Sequence, residues 1–119
     1  MNKRKKGRYY EGVALKYLEE MGLTFLERNV MGTQGEIDLI FMEGDTIIFV
    51  EVKYRSTGSY GYGAEAVNRR KAERIYLTAL EYIERKKLFG LEVRFDLVSF
   101  LGEELEWTRN IIWGDSFGF

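Results

Sequence analysis

The 119-residue sequence contains no cysteine, no histidine and no proline. Without cysteine there are no disulfides, thiolate nucleophiles or zinc-finger and iron–sulfur ligands; without histidine there is no serine–histidine dyad and no imidazole ligand. Any catalysis must use carboxylates, lysine, hydroxyls or a hard metal ion. Long apolar runs are lacking as well. The stretch Ile47 to Val50 is far too short to cross a bilayer, and Arg8, Glu11 and Lys16 interrupt the segment where a signal peptide needs continuous apolar residues. A cytoplasmic protein with no membrane segment is expected.

What is present is 45% hydrophobic residues, 15% aromatic, and 31% charged residues of mixed sign. That composition belongs to a folded chain, and the length suits one domain across residues 1–119, with residues 1–7 as a flexible basic terminus. The net charge of −1 conceals an uneven distribution. Residues 1–8 carry five basic and no acidic side chains, residues 53–87 nine basic and four acidic, and residues 88–119 two basic and six acidic. Two positive regions can meet a polyanion such as nucleic acid; a solvated helix face plus a loose terminus is the plainer alternative.

The 3.6-residue period predicts a helix from about Arg8 to Met21, with Tyr10, Val13, Ala14, Tyr17, Leu18 and Met21 on the buried face and Gly22 as the stop. Glu11 sits at the margin of that stripe, a place for a carboxylate that borders a cleft. Residues 24–30 read as a strand and Met31 to Gly35 as a loop. Glu36 to Met42 and Thr46 to Arg55 read as two strands joined by a tight turn at Gly44-Asp45. Gly58 to Gly63 reads as a loop, Ala64 to Lys87 as a helix burying Ala72, Ile75, Tyr76, Ala79, Leu80 and Ile83, and Val93 to Leu101 and Leu105 to Trp113 as two final strands. The order predicts an α/β fold with a mixed central sheet flanked by helices.

A two-residue turn at Gly44-Asp45 makes paired positions of the hairpin sum to 89. Asp38 then faces Glu51 and Glu36 faces Lys53, and alternation puts all four side chains on one side of the sheet. Opposed carboxylates about 5 Å apart repel one another, so a purely structural sheet gains nothing from this pairing. A divalent cation reverses the sign, and Mg²⁺ or Mn²⁺ suits two acids beside an ammonium. The alternative is a solvent-facing Glu51–Lys53 ion pair. Against it, Ile47, Ile48, Phe49, Val50 and Val52 make the strand apolar on both faces, and charge inside such a strand is costly unless it is paired or functional.

The runs Gly35-Glu36-Ile37-Asp38-Leu39-Ile40 and Phe49-Val50-Glu51-Val52-Lys53-Tyr54-Arg55 resemble the YraN-like family, small proteins related to the restriction-endonuclease-like, PD-(D/E)xK superfamily. The resemblance extends over about residues 7–100, through Gly7, Glu11, Ala14, Tyr17-Leu18, Gly22, Asn29, Glu65-Ala66-Val67, Lys71 and Arg94-Phe95-Asp96. It implies a restriction-endonuclease-like core in which Asp38, Glu51 and the backbone carbonyl of Val52 hold the metal. It also implies that Lys53 orients water or stabilises the charged phosphorane, and that Glu11 is the additional helical acid. Two positions depart from the family pattern: Ile37 replaces the motif proline, and Met31 stands where relatives commonly carry arginine.

Arg69, Arg70, Lys71 and Arg74 crowd the first turns of the second helix, where the macrodipole disfavours cations. Phosphate contact accounts for them, with Arg55, Tyr60 and Tyr62 adding a guanidinium and stacking surfaces; helix ion pairs to Glu73 and Glu81 are the alternative. Trp107, Trp113, Phe117 and Phe119 read as core or homodimer contacts. The expected function is that of a metal-dependent nuclease acting on DNA, including branched, flap or junction DNA. The competing class is a non-catalytic nucleic-acid-binding module on the same fold.

Overall fold

In the computed structural model of the chain the described residues are 2–55 and 69–111. The elements run α1 (Lys3–Glu20), β1 (Thr24–Met31), β2 (Glu36–Glu43), β3 (Thr46–Arg55), α2 (Arg69–Lys86), β4 (Glu92–Leu101) and β5 (Glu104–Thr108). The five strands form one sheet in sequence order. All neighbours are antiparallel except β3 and β4, which run parallel and whose connection includes α2. Parallel strands need such a crossover.

Alternation along β3 divides the core into two layers. Ile48 and Val50 face Ala14 and Leu18 of α1, whereas Ile47 and Phe49 face Ala72, Ile75, Ala79 and Tyr82 of α2. A strand buried on both faces reads as a continuous apolar run, which is why β3 holds the centre of the sheet. The result is a helix–sheet–helix sandwich consistent with a restriction-endonuclease-like core. Among the described residues no helix is long and apolar enough to cross a membrane.

Several boundaries and faces differ from the sequence expectation. The basic terminus is helical: Asn2 caps α1, its side-chain oxygen accepting from Lys5 N–H at 2.8 Å, so the helix starts five residues earlier than its apolar stripe. Val13 and Met21 lie outside the core of α1, and Leu80 outside that of α2, where Thr78 and Tyr82 are buried instead. The buried stripe of α2 follows 72, 75, 79 and 82, and position 80 lies about 120° from its centre. β5 stops at Thr108. Asn110 takes a left-handed φ of 57°, its N–H bonds the Asp96 carboxylate rather than a neighbouring strand, and Ile111 packs in the α2 layer. Trp107 is a core contact, donating Nε1–H to Asp96 at 2.9 Å. The expectations for Gly58 to Gly63, Tyr60, Tyr62, residues 64–68, Trp113, Phe117 and Phe119 lie outside the described residues.

Candidate metal centre

The β2–β3 hairpin keeps its expected register from Glu43↔Thr46 to Leu39↔Val50, with Gly44 in the left-handed region at φ 58°. The ladder then gives way. Instead of a backbone carbonyl, the Asp38 carboxylate takes the next amide: Val52 N–H donates to Oδ2 at 2.8 Å. No ladder pair joins Glu36 to Lys53, and the four charged side chains do not share one side of the sheet as alternation alone predicts.

The cause lies on β1. Asn29, opposite Asp38 in the β1–β2 pairing, has φ 53°. Asparagine tolerates that left-handed conformation better than most residues. Its effect is a roll of the strand pair: Arg28 and Leu39 belong to the α1 side, whereas Val30 and Ile37, two residues on, belong to the α2 layer. Glu36 is thereby carried round to Glu11 of α1. The Asn29 amide bridges the two, donating to Glu11 Oε1 at 3.0 Å and Glu36 Oε1 at 3.1 Å, while Arg28 Nη2 reaches Glu11 at 3.4 Å. Oxygens of Glu11, Glu36 and Asp38 all lie within 4.8 Å of one another.

Glu51 meets Asp38 from the dry side. Its side chain is 7% exposed, its Oε2 lies 4.0 Å from Lys71 Nζ on α2, and its buried Oε1 has no hydrogen-bond partner among the described residues. Burial first and the Asp38 charge second push the Glu51 carboxyl well up, against the pull of Lys71 and Lys53. Burial pushes Asp38 up to about 6, with Glu11 and Glu36 adding and the Val52 N–H opposing. Lys71 is driven down to about 8, chiefly by burial and by the neighbouring Lys53 amino group. A buried carboxylate oxygen with no donor is expensive, and two acids held together against their charge are more so.

The other buried acid provides the contrast. Asp96 accepts from Arg94 Nε at 3.0 Å, Arg94 Nη2 at 3.0 Å, Trp107 Nε1 at 2.9 Å and Asn110 N at 2.9 Å, so its charge is fully answered by protein donors. Asp96 is structural. Glu51 instead keeps a buried oxygen with no donor among the described residues, and the all-oxygen set of Asp38 and Glu51 suits a hard cation such as Mg²⁺ or Mn²⁺.

Two clefts flank the acids and meet at Glu36. One, of about 310 Å³, is lined by Arg4, Arg8, Glu11, Asn29 and Glu36; the spacing 4, 8, 11 puts three of these on one face of α1. The other, of about 380 Å³, is lined by Gln34, Gly35, Glu36, Arg70, Lys71, Arg74 and Ile75. The loop between β1 and β2 is fastened to α2 there, because Thr33 donates N–H and Oγ1–H to both oxygens of Glu81 at 2.8–3.1 Å. Glu81 is thus engaged by the loop, and Lys71 lies 4.0 Å from Glu51.

Asp38 is the common neighbour: Glu11 and Glu36 approach it from the α1 side and Glu51, with Lys53 and Lys71 beside it, from the α2 side, while the Val52 amide binds Asp38. Arg69, Arg70 and Arg74 are exposed on α2, and Arg55 ends β3 opposite Leu101. Lys71 does not stand with the exposed arginines; it turns inward to the acids. Sequence reasoning missed that turn and the part played by Asn29. The available signals were the position of Lys71 one residue before the buried Ala72, and an asparagine inside an otherwise regular strand.

A mixed sheet sandwiched between helices, with an acid on one strand and Glu-x-Lys on the next, is consistent with a restriction-endonuclease-like core. Residues 10–100 match the uncharacterised protein family UPF0102, and the chain belongs to that family. It is similar to a UPF0102 protein of Fusobacterium nucleatum, 47% identical over the whole of both chains. A UPF0102 protein of Vibrio campbellii is 42% identical, covering 93% of this chain and 94% of its own. Another, of Sulfurihydrogenibium sp., is 40% identical over 92% of this chain and 96% of its own.

Proposed function

We propose that the protein is a metal-dependent phosphodiesterase that cuts DNA, with Asp38 and Glu51 holding Mg²⁺ or Mn²⁺. The observation that carries this reading is the buried Oε1 of Glu51 beside Asp38, without a hydrogen-bond partner among the described residues, an arrangement that costs folding energy and that a divalent cation would relieve. When bound, the ion supplies Lewis acidity toward phosphate oxygens and water. The chain's own residues do the rest. The Val52 N–H fixes Asp38 through Oδ2, and the Val52 carbonyl is the third proposed ligand. Lys53, two residues beyond Glu51 on β3, sets a positive charge where negative charge builds during hydrolysis. Glu11 adds an acid from the helical side. Arg4 and Arg8 on one flank, and Arg70 and Arg74 on the other, give a phosphate backbone two approaches to the acids.

The test is a panel of labelled duplex, single-stranded, flap and four-way DNA incubated with Mg²⁺ or Mn²⁺. Cleavage that disappears in Glu51→Gln is expected. Affinity for DNA with no product on any substrate refutes the enzyme and leaves a nucleic-acid-binding module.

A further inference from the structure

Three basic side chains of α2 line the cleft beside Glu36, and they are not equivalent. Arg70 and Arg74, one helical turn apart, form an exposed outer ridge, whereas Lys71 is half-buried. Lys71 precedes Ala72 and Ile75, both buried against the sheet, so it stands at the edge of the inward stripe. Its Nζ lies 4.0 Å from Glu51 Oε2, and the Lys53 amino group is near enough to disfavour its charge. Two ammonium-bearing chains from different elements, β3 and α2, therefore converge on the same acid. A docking lysine gains nothing from such a position. Its charge faces Glu51 and Asp38, with the Lys53 amine beside it.

We propose that Lys71 is a second cation of the reaction centre, contacting the reacting phosphate together with Lys53, while Arg70 and Arg74 hold flanking phosphates. The assignment rests on the proposed phosphodiesterase reading. In the metal-free protein Lys71 faces Glu51 at 4.0 Å. A divalent ion would balance the Glu51 charge once its proton is lost, leaving the ammonium for the phosphate that enters with the ion. The hydrolysis balances without any further reactant: water adds to phosphorus, the bond to the leaving oxygen breaks, and one proton of the water ends on that leaving oxygen. Lys71 supplies charge and is unchanged.

The test compares Lys71→Met with Arg70→Ala and Arg74→Ala in the full chain, using single-turnover cleavage of whichever DNA the wild type cuts. Lys71→Met keeps the apolar stem, and a melting curve checks that it folds. For Lys71→Met the rate at saturation is expected to fall by roughly 100-fold, with half-saturation changed by less than about threefold, and Lys71→Arg restores part of the rate. The two arginine variants are expected to do the reverse, weakening half-saturation and sparing the saturated rate. A second readout needs no substrate. Removing a positive charge 4.0 Å from Glu51 should raise Mn²⁺ affinity at least about fivefold in Lys71→Met and leave it unchanged in Arg70→Ala.

Kinetics for Lys71→Met that match those of Arg70→Ala overturn the assignment while leaving the phosphodiesterase standing. Unchanged Mn²⁺ affinity overturns the placement of the ammonium at the ion site. A wild type that cuts no DNA refutes the proposed function, and this role with it.

Discussion

Replacing Asp38 by asparagine should stabilise the metal-free protein at neutral pH. The displacement of its carboxyl from an ordinary 3.8 to about 6 means that the fold charges about 3 kcal/mol for keeping this group ionised at pH 7. Asparagine retains an oxygen for the Val52 N–H, removes one charge from the neighbourhood of Glu51, Glu11 and Glu36, and places an amide among carboxylates that accept its hydrogens. Because some of the desolvation cost remains for the amide, a gain of about 2–3 kcal/mol is expected. For a domain of this size that is roughly a 5–10 °C rise in Tm. The sign follows from the direction of displacement. An acid raised in the folded state gives its full contribution below the unfolded value near 4 and loses it as pH climbs through about 6. The advantage of Asp38→Asn should therefore be largest at pH 7 and vanish near pH 4, where the wild-type carboxyl is protonated too. Thermal melts of both proteins in chelator at the two pH values check this. A destabilised variant at pH 7, or an equal gain at both pH values, would refute the claim that repulsion and burial dominate at Asp38.

Three further outcomes are expected. Mn²⁺ affinity should rise more than about tenfold between pH 5 and pH 7, since Asp38 and Glu51 must both lose protons that the fold makes them keep; a flat profile in a calorimetric titration contradicts the ligand assignment. Gly32→Ala should cost about 1–3 kcal/mol, because the new methyl would sit 2.8 Å from Cγ2 of the buried Thr78. Urea melts of that variant alone and with Thr78→Ala should show the loss partly relieved in the double variant, and a harmless single change would disprove the close approach. Neutralising Arg70 and Arg74 together should lower the slope of log affinity against log salt by roughly 2 for duplex DNA, read by anisotropy; an unchanged slope would move the DNA surface to the α1 flank at Arg4 and Arg8.

The imbalance between the two buried acids bears on where function sits in this fold. Asp96 and Glu51 are buried to a similar degree on adjacent strands, yet four donors surround one, and one oxygen of the other has no donor among the described residues. Natural folds tolerate such local cost where binding repays it.

The sequence by itself determined whatever depends on short-range pattern. Alternation and the Gly44-Asp45 turn set the hairpin register, so that Asp38 and Glu51 become neighbours; the two-sided apolarity of Ile47 to Val50 put β3 at the centre of the sheet; the 3.6-residue period found both helices. These are consequences of backbone geometry acting over a few residues. Tertiary structure decided the rest. The roll at Asn29 and Asp38 separates Glu36 from Lys53 and delivers it to Glu11, which no single-strand pattern encodes. Lys71 turns inward because α2 lies on the face of β3 that carries Glu51, a contact across twenty residues of chain. Charge counting assigns Arg69, Arg70, Lys71 and Arg74 the same task, but only packing tells which of them meets a carboxylate and which meets solvent.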